Sequence, residues 1–255
     1  MIIGAQLYSV RDKCVSEETI KATFKAMKEI GYTSVQISGF PYDAQKARDY
    51  ADEYGLHIGL THTAIDQIIN NTQQIIKNHK ILKADMIGIG FPGGYYNDGV
   101  LETDRLIADL TPAVHAIQDA GLKFGYHNHA IEFKDLGGYY PLDILFEKTN
   151  WNFILDVGWV DVAGADAVKA VEKYASRLEY VHLKDFRAAK EANEPDGHRI
   201  VSLYKGNVPL DSILSALKKA GTKVAYVEQD NAVEKNSYEE MKNSYEALEE
   251  RGWTK

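Results

Sequence analysis

The chain has 255 residues and a mass of 28.6 kDa, with 29 Lys and Arg against 37 Asp and Glu for a formal charge of −8. An apolar fraction of 45% with 26% charged residues excludes a disordered or fibrous polymer, and the acidic balance argues against a nucleic-acid partner, which needs clustered Lys and Arg. Cys14 is the single cysteine, which excludes an internal disulfide and any thiolate metal cluster within one chain.

Met1-Ile2-Ile3-Gly4-Ala5 runs directly into an expected strand, without a basic leader or a long apolar run. No stretch approaches the ~20 apolar residues of a membrane span, so a cytoplasmic protein away from the membrane is expected. Strands are predicted to begin near Ile2, Ser34, His57, Met86, Lys123, Asn152, Leu178 and Lys223, each followed by helical periodicity or helix-start chemistry. The first helix shows the logic. Ser16-Glu17-Glu18-Thr19 places a capping hydroxyl and acids ahead of Ile20, Phe24, Met27 and Ile30, and Gly31 stops the turn. Gly55, Gly121 and Gly221 end later helices in the same way. Strand and helix alternate from one end to the other without a linker, which predicts an α/β fold: a single (β/α)8 TIM barrel over residues 1–255. An open doubly wound sheet alternates likewise, but no Gly-x-Gly-x-x-Gly follows the first strand.

Barrel enzymes build their sites where strands end, and here the strand ends carry chemistry. Gln6 and Tyr8 on strand one, Gln36 on strand two and His62 after strand three are hydrogen-bonding groups suited to a polyhydroxylated ligand, although polar filling of a wet barrel end explains Gln36 and Tyr8 as well. The aromatic loop from Phe91 to Tyr96 follows strand four, and would suit self-association into a homo-oligomer. In Tyr126-His127-Asn128-His129, a period of two sends both imidazoles to one side, with Glu132 close behind. Asp156 closes the apolar run Phe153-Ile154-Leu155. Buried unpaired it would cost several kcal/mol, so it needs a cation, a metal or donors. His182 and Lys184 share a side in Tyr180-Val181-His182-Leu183-Lys184-Asp185, and a long loop from Phe186 to Asn207 follows. Glu228 ends strand eight, where a carboxylate could bind a divalent ion or serve as a general base. A core histidine and a solvated loop acid are the plainer accounts of His182 and Glu228.

The stretches Gly4-Ala5-Gln6-Leu7-Tyr8-Ser9-Val10-Arg11-Asp12, Tyr126-His127-Asn128-His129 with Glu132-Phe133, Leu155-Asp156-Val157-Gly158-Trp159, His182-Leu183-Lys184-Asp185 and Val227-Glu228-Gln229-Asp230 together resemble the xylose isomerase-like TIM barrels, the sugar phosphate isomerase/epimerase group. The resemblance implies one divalent ion (Mn, Co, Mg or Zn) held by residues ending strands five to eight. Asp156, His182 and Glu228 match three of the family's ligands. The fourth departs from the pattern: His127, with His129 as the alternative, stands where the epimerases place glutamate, and Trp159 replaces a family histidine.

These readings predict a metal-dependent sugar isomerase or epimerase. It would remove a proton beside the carbonyl of a sugar, keto-sugar or inosose through an enediolate that the ion stabilises. His127, Asp156, His182 and Glu228 are the expected ligands, with Glu228 also the base and Glu132 or Lys184 the second proton carrier. Gln6, Gln36, His62 and His129 are expected to bind hydroxyls of a sugar or polyol, and Tyr8 and Trp159 to face its ring, although core packing accounts for Trp159 equally well. The departure at His127 leaves a dehydratase or lyase as the alternative. A metal hydrolase resembling the family's endonucleases, or a sugar-binding barrel without catalysis, would account for less.

Overall fold

The computed structural model describes residues 1–97, 99–188, 198–231 and 236–254. Eight parallel strands form the barrel: β1 (Ile2–Gln6), β2 (Ser34–Ile37), β3 (His57–His62), β4 (Met86–Ile89), β5 (Lys123–His127), β6 (Asn152–Asp156), β7 (Tyr180–Leu183) and β8 (Val224–Val227). Each pairs with its neighbours in sequence and β8 closes on β1, which rules out the open sheet. The expected starts of β7 and β8 fall slightly early. Leu178 still caps the short turn Ala175–Arg177, and the Glu179 carbonyl accepts from both Lys223 N and Val224 N before the ladder begins.

The first helix runs over Glu17–Ile30 as its sequence dictates. Ser16 Oγ accepts from Thr19 N, the Thr19 hydroxyl reaches back to accept from Ser16 N, and Gly31 ends it. Gly55 and Gly221 likewise close Ala44–Tyr54 and Leu210–Ala220 in the left-handed region. The helices pack their apolar faces on the outward side chains of the strands, so β2, β4, β7 and β8 are buried along their whole length.

Inside the barrel, Leu60, Met86, Ile154, Tyr180, Val224 and Tyr226 fill the lower layers. The Tyr226 ring lies across the axis, its hydroxyl 2.9 Å from Ser34 Oγ, because Gly4 and Gly59 have no Cβ to collide with it. This plug leaves the C-terminal end of the barrel to polar side chains. Register then sets their heights: Gln6 lies beside Gln36, and Asp156 beside His182.

The connections at this end are the elaborate ones. A short helix (Ile65–Asn70) follows β3, a two-stranded hairpin (Tyr96–Asn97 with Val100–Leu101) follows β4, and a second (Asp185–Ala188 with His198–Val201) follows β7. Within the loop expected from Phe186 to Asn207, positions 189–197 lie outside the described residues. Among the described residues no helix is long and apolar enough to cross a membrane.

Candidate metal centre

One ligand atom each from His127, Asp156, His182 and Glu228 lies within 4.8 Å of every other, and all four residues are buried. Among the described residues they form the one group of three or more such ligands, so the multi-metal cluster of an endonuclease has no counterpart there.

Backbone and neighbouring side chains aim the four inward. Asp156 ends β6 and caps the next helix (Val157–Val162), its Oδ1 accepting from Gly158 N and Trp159 N at 3.0 Å each. That leaves Oδ2 to face His127 Nε2 at 3.4 Å. Asn128 locks the same corner, accepting from Asp156 N at 2.8 Å and donating to its carbonyl at 3.3 Å. The two imidazoles are each held by an outer partner, which fixes their tautomers. His127 Nδ1–H donates to the Gly90 carbonyl at 3.1 Å, so its Nε2 lone pair points at Asp156 and Glu228. His182 Nε2–H donates to Gln36 Oε1 at 2.7 Å, which turns Nδ1 toward Glu228 Oε2, also at 2.7 Å. Those last two atoms are buried and make no hydrogen bond to each other. Two acceptors face one another, an arrangement that a cation relieves.

Lys184 completes the floor. Its Nζ stands 3.2 Å from Asp156 Oδ2, 3.3 Å from Glu228 Oε2 and 3.1 Å from Asp230 Oδ2. Burial opposes its charge, but the three carboxylates prevail and hold its pKa far above the ordinary lysine value. Burial likewise works against ionised Glu228, yet the Lys184 ammonium beside it outweighs burial and keeps the carboxyl well below the usual range. Three carboxyl groups against one ammonium leave an excess of two negative charges, the charge of one divalent ion. The donor set of two imidazole nitrogens and two carboxylate oxygens suits Zn, Mn or Co.

Burial pulls the imidazoles toward the neutral form that binds metal. His182 lies below its ordinary pKa for that reason. His127 is pushed down by burial but pulled further up by the neighbouring carboxylates of Asp156 and Glu228.

A cavity of about 1040 Å³ opens above the floor. Of the expected ligand-contacting residues, Tyr8, His62 and His129 line it together with Lys184 and Glu228. The His62 ring sits 5.1 Å from that of His127 and 5.2 Å from that of His182, with a buried Nε2 that has no partner. His129 stands beside His127 but outside the group of four, which makes His127 the residue positioned as the strand-five ligand.

Four expected residues lie elsewhere. Glu132 is fully buried behind the site: its Oε1 accepts from Tyr126 Oη at 2.6 Å and its Oε2 from His129 N at 2.7 Å. It fastens the turn after β5 from the outer side of the barrel and does not reach the cavity as a proton carrier. Gln36 supports His182 rather than a ligand, and Gln6 turns back to accept from Tyr8 N at 3.2 Å. Trp159 stands outside the cavity lining, its ring against His129 and Phe186 with Lys184 Nζ 5.2 Å from its centre. Sequence reasoning assigned no role in the site to Arg11, Asp230 or the helix Ile65–Asn70 and read Phe91 only as a surface for self-association, yet all of them contribute to the cavity wall.

The family described as "Xylose isomerase-like TIM barrel" matches residues 24–251. The chain belongs to this family. Over 89 residues it is 36% identical to an inosose dehydratase of Geobacillus kaustophilus, a match covering 34% of this chain and 28% of that relative. A sugar phosphate isomerase/epimerase from Parabacteroides distasonis superimposes with a TM-score of 0.80 at 18% identity, over 99% of this chain and 95% of the other. A structure described as IOLI protein with a bound zinc atom superimposes with a TM-score of 0.74 at 13% identity, over 98% and 97% of the two chains. At these identities the two structures speak to the fold alone.

Proposed function

We propose that this chain is a divalent-metal-dependent enzyme that removes a proton from the carbon beside the carbonyl of a sugar, keto-sugar or inosose and then eliminates a β-hydroxyl as water. The observation that carries the reading is the convergence of two tautomer-fixed imidazole lone pairs and two carboxylates on one buried point. A divalent ion held by His127, Asp156, His182 and Glu228 would supply Lewis acidity toward the substrate's carbonyl oxygen.

The chain's own groups handle the protons. Glu228, ionised and lining the cavity, takes the proton from carbon. Lys184, lining the same cavity, gives one to the departing hydroxide, which is a stronger base than even a strongly held lysine. Water leaves, and solvent returns the proton from Glu228 to Lys184. His62 and His129 meet the remaining hydroxyls with their ring nitrogens, and Tyr8 offers a ring face.

Elimination is favoured over epimerisation because, among the described residues, no second carboxylate stands free on the floor beside Glu228. Glu132 lies behind the wall, and Asp230 is engaged with Lys184 through both oxygens. A second reading, isomerisation of an aldose to a ketose, needs only one base on one face, and Glu228 satisfies it. The test is incubation of the metal-loaded protein with keto-sugars and inososes in deuterated water. Elimination yields an enone with new ultraviolet absorbance, and isomerisation yields a deuterated isomer. Neither product, with metal at full stoichiometry, would sink both readings.

A further inference from the structure

Among the described residues the cavity carries two cations, Lys184 and Arg11, and they are treated differently. Lys184 is neutralised by three carboxylates. Arg11 has no carboxylate partner among the described residues, although it lines the same cavity, as does Asp66. Arg11 lies in the short helix Leu7–Lys13 after β1, and its position is tightly set. Nη1 donates to the Tyr8 carbonyl at 2.8 Å and to the Asp230 carbonyl at 2.6 Å, while the guanidinium carbon stands 3.8 Å from the centre of the Tyr8 ring. One nitrogen therefore ties the loops after β1 and β8 together, and the Tyr8 ring fixes the plane of the group. Nε and Nη2 make no hydrogen bond to the described protein. A staple between two loops uses a single donor and requires no charge. The oriented remainder of the fork is what bidentate recognition of an oxyanion requires.

We propose that Arg11 binds an oxyanion on the substrate, so that the ligand of this cavity is an acidic sugar or cyclitol derivative, with a carboxylate or phosphate at the end away from the reacting carbonyl. The assignment rests on the functional reading above and deepens it. Asp230 links the two cations: its carbonyl holds Arg11 and its carboxylate holds Lys184. The anion site thus adjoins the reactive floor through one residue, which suits a charged group attached to the same small ring or chain. With a divalent ion offsetting the floor's negative excess, Arg11 is left as the lining cation without a carboxylate partner among the described residues.

The test compares matched ligands on the metal-loaded protein by titration calorimetry: D-galacturonate against D-galactose, and glucose 6-phosphate against glucose. The expected result is that the charged member of at least one pair binds ~10-fold tighter, the yield of one well-placed charged hydrogen-bonding contact. The pair that discriminates tells carboxylate from phosphate. Arg11→Gln keeps a donor for the two carbonyls and should erase the preference, while Arg11→Lys should retain part of it. Equal affinity within both pairs, no binding of any of the four sugars, or an Arg11→Gln variant that weakens charged and neutral members by the same factor would overturn the assignment. If Arg11→Gln does not fold, the wild-type ratios decide, and a preference that does not shrink with added salt counts against a charge contact. Failure to take up metal would count against the proposed reaction, whereas this assignment is read from the ratio of charged to neutral ligand.

Discussion

Glu132→Gln separates a structural carboxylate from a catalytic one and has a defined pH signature. Glu132 is wholly buried, and burial, only partly offset by hydrogen bonds from Tyr126 and the His129 backbone, raises its pKa from 4.5 to about 7. In the unfolded chain the carboxyl returns to the ordinary value. The folded state therefore binds its proton more tightly, and the stability this gives is complete below pH 4.5 and is lost as pH rises through 7. A gap of that size corresponds to ~3 kcal/mol. Glutamine preserves both contacts, since its carbonyl can accept from His129 N and its amide can donate to Tyr126 Oη, and it carries no charge at any pH. Urea unfolding at a series of pH values should show the two proteins nearly equal near pH 5 and the variant gaining by ~3 kcal/mol toward pH 8. Metal uptake should be unchanged. A stability difference that stays flat across this range would refute the assignment of a strained, buried carboxyl, and loss of bound metal would return Glu132 to the site.

Other substitutions probe neighbouring parts of the account. Lys184→Met leaves Asp156, Glu228 and Asp230 without their counter-ion, which should cost the metal-free protein about 3–5 kcal/mol; a divalent ion should then raise its melting temperature more than that of the wild type, and an equal rise would contradict the charge balance. Gln36→Leu removes the partner of His182 Nε2 and should weaken metal binding ~10–100-fold in competition with a chromophoric chelator. Gly59→Ala pushes a methyl into Tyr226 at the barrel's centre and should cost about 1–3 kcal/mol in thermal unfolding without altering metal affinity.

The barrel and the four central residues were legible because both depend on local rules. Ser16 and Gly31 bracket their helix by capping chemistry, and a strand that ends in His127, Asp156 or Glu228 delivers that residue to the mouth whatever lies between. Period two also placed His182 and Lys184 on one side correctly. It does not extend to Glu132, because β5 ends at His127 and the turn over Ala130–Phe133 carries Glu132 round to the outward-facing Tyr126. Trp159 takes its packing role for a similar reason: Asp156 starts a helix at once, which turns Trp159 away from the cavity lining and against Phe186. Arg11 escaped notice because nothing in its neighbours' sequence reveals that the carbonyl of Asp230, 219 positions away, shares one of its nitrogens with that of Tyr8. Contacts of that separation belong to closure of the barrel, and only the folded chain displays them.

Calorimetric titration of the purified, chelator-treated protein with Zn and Mn in buffers of differing ionisation heat tests the central claim most directly. One ion should bind per chain, and His127→Ala or Asp156→Ala should abolish the high-affinity phase. Binding of unchanged stoichiometry and affinity in those variants, or no binding at all, would contradict a metal centre at the mouth of this barrel.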